Sequence, residues 1–397
     1  MKGTSRNSLT KNCLGAYGPW AASLLGTKPG RLSLRNGTFR DVDAWRAQAR
    51  QRVRECIASP AIARTPKARV EARGIYDGVR WERLSWQLPW GPRTEAVLLR
   101  PATADPRERL PGILGLHDHG GVKFYGWRKI ARIDDKIHPL LQRHHERSYA
   151  GLAWANQAAK RGYAVLVHDT FPFASRRVRV ADVTPAIVGH GIDPSGAGSN
   201  TDIAAYNQWA SAHESIVAKS LICAGTTWAG VYVAEDQAAL SVLCGRSDVD
   251  ATRIACGGLS GGGMRSTYLA GLDDRIRCSF TVGFSTTWRD FLLHKSWTHT
   301  WMAYAPLLPA DLDFPEILAL RAPLPALVQN TNQDQLYTLP EMKRAAAMMR
   351  EVYRRAKAPQ AVKVSFHPGP HVFNAPMQAE AFAWVDQWLG SFSRTKR

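Results

Sequence analysis

No apolar run in this 397-residue chain reaches the about 18 residues that a membrane-spanning helix needs, so no membrane is expected as a partner. The six cysteines, Cys13, Cys56, Cys223, Cys244, Cys256 and Cys278, form no C-x-x-C pair. That scatter argues against both a zinc site and a disulfide framework. With Cys256 and Cys278 inside apolar, strand-like runs, it favours buried free thiols in a reducing compartment, hence a cytoplasmic location. Internal repeats and low-complexity tracts are absent, which excludes solenoids and propellers. Basic residues outnumber acidic ones by 52 to 33, a formal charge of +19, yet no like-charge block is long enough for a nucleic-acid tail. Nucleic acid is therefore not expected as a partner. The excess reads as a solvated basic surface, or as a positive cleft that draws in anionic substrates.

The chain start carries Lys2, Arg6 and Lys11 ahead of a mildly apolar stretch at 13–26. Gly15, Gly18, Pro19 and Trp20 interrupt that stretch and no small-x-small cleavage pattern follows, so a structural arm is expected rather than a secretory signal.

What is present is ordinary globular material, 45% hydrophobic and 21% charged, and long enough to bury a large core. Residues 41–50 have an acidic first turn and basic later turns, which suits a helix dipole. Residues 81–88 and 93–100 alternate with period two around Pro89-Trp90-Gly91-Pro92 and predict an antiparallel hairpin at a sheet edge. Continuous apolar runs at 110–117, 163–169, 253–259, 276–282, 324–329 and 361–366 predict strands covered on both faces. Helical stretches at 150–161, 202–243, 340–356 and 378–389 separate them, whereas 122–147 and 170–201 read as loops. The alternation predicts a mostly parallel sheet of about eight strands with helices on both faces. A helical arm (1–75) precedes the main domain (76–397).

One turn organises the rest. Gly258-Leu259-Ser260-Gly261-Gly262 follows the apolar run Ile254-Ala255-Cys256 and opens a helical stretch. Such a G-x-S-x-G corner raises a serine hydroxyl on a strained strand-to-helix bend, where flanking glycines admit the neighbouring backbone and free N–H groups can bind an oxyanion. In a parallel sheet the informative positions lie just beyond the strand ends. Those positions hold Ser260, Asp334 and His371, in that chain order. A serine nucleophile, an imidazole that relays its proton and a carboxylate that orients the imidazole make an acyl-transfer set. Asp290 and Asp311 are the other candidate acids, and His367 the other candidate base. The amides of Gly261 and of His119 or Gly120, in the His117-Asp118-His119-Gly120-Gly121 loop, are candidate oxyanion donors. That loop holds no closed set of ligand spacings, so no metal is expected. Trp288, Trp297, Trp301 and Tyr304 are candidates for a substrate pocket, or equally for packing.

With these motifs in place, the chain resembles the α/β-hydrolase superfamily and, within it, the dienelactone-hydrolase and acetyl-xylan-esterase-like branch. The resemblance spans roughly residues 75 to 392. It is strongest at 254–270, at Val249-Asp250-Ala251-Thr252-Arg253-Ile254 before the corner and at Leu272-Asp273-Asp274-Arg275-Ile276 after it. Asp118 stands where that branch often has the first glycine of His-Gly-x-Gly-Gly, Phe171-Pro172-Phe173-Ala174 replaces a glycine-rich loop, and Pro370 precedes His371. The resemblance implies an α/β-hydrolase fold and cofactor-free hydrolysis of a small carboxylic ester, an acetylated sugar among the substrates, through an acyl-enzyme. A lactonase or peptidase on the same triad, or a non-catalytic binding protein on the same scaffold, is the competing reading, and a homo-oligomer is compatible with either.

Overall fold

The computed structural model describes residues 11–188 and 200–390. Among the described residues nine strands form one sheet: β1 Arg69–Tyr76, β2 Val79–Trp86, β3 Thr94–Pro101, β4 Leu110–Gly115, β5 Ala164–His168, β6 Val249–Leu259, β7 Ile276–Val282, β8 Ala326–Thr331 and β9 Val362–His367. Their order across the sheet is β1-β2-β3-β5-β4-β6-β7-β8-β9. The strands β5, β4, β6, β7, β8 and β9 pair in parallel, while β1, β2 and β3 join antiparallel. The sheet is thus mixed, and one strand wider than the sequence pattern suggested. The additional strand is β1, joined to β2 by Asp77-Gly78 with φ of 49° and 74°. Two central residues with positive φ make the hairpin turn whose twist matches that of the strands, and Tyr76 accordingly pairs with Val79. Exposed alternate residues along β1 hid it from an apolar-run reading.

Helices cover the sheet, with two departures from the expected elements. Helix Pro139–Tyr149 occupies the end of the stretch read as loop (122–147) and runs two residues past it, started by Pro139 at its first position and by the His138 side chain, which accepts from Leu140 N. A shorter helix, Trp154–Lys160, follows. The long helical region resolves into Asn200–Ala212, Glu214–Cys223 and Trp228–Cys244, the last break falling at Gly225, φ 79°. Part of the loop expected at 170–201 lies outside the described residues.

The basic N-terminal segment is tied to the body by ion pairs. Arg31 and Arg52 meet Asp311 at 2.8 and 2.6 Å, Arg35 meets Glu316 at 3.0 Å, and Arg50 meets Asp274 at 2.6 Å. Four arginines of the segment thus pair with carboxylates of the main body, Asp311 and Glu316 being buried.

Strand order determines where a site can form. The chain leaves β4 toward β5 on one side, and leaves β6 toward β7 on the other. Beyond the carboxyl ends of β4 and β6 the two loops diverge and leave a crevice between neighbouring strands. The 117–121 loop and the Ser260 corner both open there. Leu116 N donates to Gly257 O at 2.9 Å, the last ladder bond before the strands part.

Packing at this point is tight. A Cβ at Gly258 or at Gly262 would overlap the carbonyl oxygen of Leu116. Gly262→Ala should therefore destabilise the fold by about 3 kcal/mol or more, because backbone cannot retreat as a side chain would. A urea midpoint unchanged from wild type would refute that packing.

Candidate active site

Ser260 sits between β6 and helix Gly261–Leu272 with φ 57° and ψ −120°. A serine with positive φ is strained, and the strain is held from both sides. Its N–H donates to Val282 O on β7 at 2.8 Å, and its carbonyl accepts from Met264 N at 2.9 Å. The side chain makes no helix-cap hydrogen bond, so the hydroxyl is not consumed by the turn that presents it. Gly261 meets the β4 loop here: a Cβ on it would lie 2.8 Å from His119 N. The first amide of the helix and the amide of His119 thus converge from two chain segments 142 residues apart in number.

Asp334 and His371 are brought together by the pairing of β8 with β9. The ladder runs to Thr331 opposite His367, and two further bonds, Asn332 N to His367 O and Gln333 N to Gly369 O, zip the following loops together. His371 Nδ1 then lies 2.6 Å from Asp334 Oδ2, while Asp334 Oδ1 accepts from Leu336 N at 2.9 Å. The carboxylate is buried and the imidazole about one-fifth exposed. The ring rests on Gly283, where a Cβ would come within 2.8 Å of His371 Cε1. Gly283 directly follows Val282, the residue that accepts from Ser260 N. Serine and imidazole therefore flank one peptide of β7's end. Buried His371 Nε2 has no hydrogen-bond partner among the described residues, Ser260 Oγ included. Bonds of this kind commonly tighten only once substrate is bound.

The other candidate acids are engaged elsewhere. Asp290 is buried and accepts from Thr286 Oγ1, Thr338 N and Thr338 Oγ1 at 2.7–2.9 Å. Asp311 is held by Arg31 and Arg52. His367 turns to Glu380, with Nε2 at 2.7 Å from Oε2.

The β4 loop is pinned from beneath by a buried polar network. Asp118 accepts from the Tyr149 hydroxyl and lies 3.1 Å from His144 Nε2. Burial opposes its ionisation, but His144 and Lys129 outweigh that and hold the carboxyl well below the usual carboxylate range. Its other oxygen fills the space under Gly120 that a Cβ would occupy. The residue that departs from the branch pattern thus serves as the loop's anchor. His119 Nδ1 accepts from Gly121 N at 3.1 Å, so its Nε2 carries the proton toward Glu214 Oε1, 2.6 Å away. Lys123 also meets Glu214, at 2.5 Å. Burial would raise the Glu214 carboxyl, yet His119 and Lys123 bring it down to about 2.

The four aromatic candidates separate. Trp288 is buried against Phe291 and Phe314, and its Nε1 donates to Leu312 O at 3.0 Å, which is a packing role. Tyr304 packs on Phe291 and donates to Ser296 O at 3.1 Å. Trp297 and Trp301 stand in solvent, 78% and 45% exposed. Their segment is fastened to the Asp334 loop by Lys295 Nζ to Gln335 O and Thr298 Oγ1 to Leu336 O, at 2.6 and 3.3 Å. Sequence reasoning missed Gly283, Lys129 and Glu214. Only Gly283 had a signal, as the residue just beyond an apolar strand.

Sheet order, serine corner and the paired carboxylate and imidazole define the chain as an α/β hydrolase by fold. Solved structures agree. The chain superposes with a TM-score of 0.64 on a Bacteroides fragilis NCTC 9343 protein provisionally named an acetyl xylan esterase, at 19% identity over 89% of this chain and 82% of that one. For a glucuronoyl esterase from Solibacter usitatus the TM-score is 0.60 at 16% identity, covering 91% and 98%. By sequence the chain is 27% identical over 282 residues to YtaP of Bacillus subtilis (strain 168), provisionally named a hydrolase, spanning 70% of this chain and 79% of that protein. No family model matches the chain.

Proposed function

We propose that this protein hydrolyses carboxylic esters by a serine mechanism. Ser260 attacks the acyl carbon; His371 Nε2 takes the hydroxyl proton and returns it to the leaving alcohol; Asp334 holds the imidazole tautomer through Nδ1 and stabilises the imidazolium. The tetrahedral oxyanion is bound by the amides of Gly261 and of His119 or Gly120. Water then repeats the sequence on the acyl-enzyme. The observation that carries this reading is the 2.6 Å contact between Asp334 and His371, with its ring laid on the residue after Ser260's backbone partner.

For the substrate class we propose esters carried on carbohydrate. The fold is shared with proteins named as acetyl xylan and glucuronoyl esterases, and two exposed tryptophans stand on the segment fastened to the Asp334 loop, rings of the kind on which sugar faces stack. Turnover of acetylated xylo-oligosaccharides, of a methyl glucuronate ester and of a simple lactone, compared on one preparation, tests it. A clear preference for the lactone would sink the carbohydrate reading while leaving the serine mechanism standing. Trp297→Ala should raise KM for an acetylated oligosaccharide about fivefold, the equivalent of about 1 kcal/mol of ring contact. Hydrolysis of p-nitrophenyl acetate should stay within twofold of wild type.

A further inference from the structure

Lys129 lies beneath the β4 loop with no exposed surface. A buried ammonium is costly unless hydrogen-bonded and paired, and the partners of this one are unusual. Asp118 Oδ2 is 3.8 Å away, too far for a hydrogen bond. Instead Nζ donates to two consecutive backbone carbonyls, Asp118 O and, at 3.2 Å, His119 O. The Phe173 ring closes another side, its centroid 4.3 Å from Nζ. The preceding carbonyl, His117 O, accepts from a second buried cation, Arg265, at 3.2 Å. Asp118 O receives a further donor, His117 Nδ1, at 3.0 Å.

A trans peptide is a planar dipole with C=O and N–H on opposite sides. The peptide joining Asp118 to His119 presents its carbonyl to Lys129 on one side and the His119 N–H on the other. The next peptide presents His119 O to Lys129 and the Gly120 N–H opposite. These are the two alternative loop donors named above for the oxyanion, and His119 N is the one against Gly261. An N–H whose own carbonyl is bound to a cation is a stronger donor, because hydrogen bonds in series polarise one another. Tying the loop down would need only a neutral amide, at a smaller desolvation cost.

We propose that Lys129 is a positioning residue for the oxyanion hole: by holding the carbonyls of Asp118 and His119 it aims and polarises the peptide groups whose N–H bonds receive the developing negative charge. The proposal rests on Ser260 being the nucleophile, and it acts on the transition state rather than on substrate binding.

The test uses full-length Lys129→Met and Lys129→Arg, with p-nitrophenyl acetate as substrate and a trifluoromethyl ketone as the probe that forms a tetrahedral oxyanion on Ser260. For Lys129→Met we expect kcat to fall 10- to 100-fold, KM to stay within twofold and ketone affinity to weaken by about the same factor as kcat. Lys129→Arg should recover part of the loss. A folded Lys129→Met with kcat within threefold of wild type would overturn the proposal, as would a kcat loss with undiminished ketone affinity. Should Lys129→Met not fold, the wild-type pH profile decides. Burial lowers the Lys129 ammonium and the Asp118 carboxylate pulls it back, while Arg265 and Lys123 repel it and Asp169 attracts it, for a value of about 8. His117 and His119, the other titratable groups facing it, are both lowered first by burial and so are neutral at that pH. Wild-type kcat should then fall above pH 8, and a kcat flat to about pH 9.5 would overturn the idea. Activity surviving Ser260→Ala would instead sink the serine mechanism itself, so the two failures are distinguishable.

Discussion

Ser260→Ala should cut kcat for p-nitrophenyl acetate by about 10⁴-fold or more, leaving the small residue that an oxyanion hole and substrate binding supply alone. The fold should survive. Alanine carries the same Cβ into the same positive φ, and the lost hydroxyl caps no helix end. The melting temperature should stay within about 2 °C, as befits a change that deletes no packing and no structural hydrogen bond. Mass spectrometry after treatment with a fluorophosphonate gives an independent readout: one adduct on wild type at Ser260, none on the variant. Retained turnover, or an adduct elsewhere, would remove Ser260 from the mechanism.

Two isosteric changes should separate the acid of the triad from its neighbour. Asp334→Asn should cost about 10³–10⁴ in kcat, because an amide donating to Nδ1 stabilises the tautomer whose Nε2 already holds a proton and cannot accept one from serine. Asp290→Asn should behave in the opposite way. Asp290 takes three hydrogen bonds, Oδ2 from Thr286 Oγ1 and Thr338 N and Oδ1 from the Thr338 hydroxyl. The substituted amide can keep its oxygen on the first two and turn its NH₂ to the Thr338 hydroxyl, which then accepts, so the cost is the charge lost from these buried bonds, about 1–3 kcal/mol of stability, with kcat within threefold. Kinetics and urea midpoints on both variants decide. A large kcat loss confined to Asp290→Asn would move the acid there.

The Asp118 loop shows how far the primary structure could be read. A glycine-to-aspartate departure in an oxyanion loop looks disruptive on paper. In space Asp118 is engaged by Tyr149, His144 and Lys129 and anchors the loop through them. Trp288 makes the converse point. It sits in an aromatic insertion near the site and yet is buried between Phe291 and Phe314, whereas Trp297, nine residues later, stands in solvent. Spacing alone could not separate them, because short irregular turns impose no fixed periodicity on side-chain direction. The missed strand β1 is a different case: Asp77-Gly78 was legible as a hairpin turn, but its flanking residues are too polar for an apolar-run reading to claim a strand there.

By itself the order of residues determined the strand, cramped corner and helix around Ser260, the candidate order serine, aspartate, histidine, and the alternation that builds an α/β sheet. These follow from local sterics and from hydrophobic period, which act over a few residues at a time. Only the tertiary structure decided which aspartate meets His371, which amides converge on the serine, and that a lysine buried eleven residues past Asp118 grips the carbonyls behind them. Those contacts arise because β4 lies beside β6 and β8 beside β9. Strand adjacency is a property of the whole packed sheet, set by how all its faces are buried together, and no window of sequence contains it.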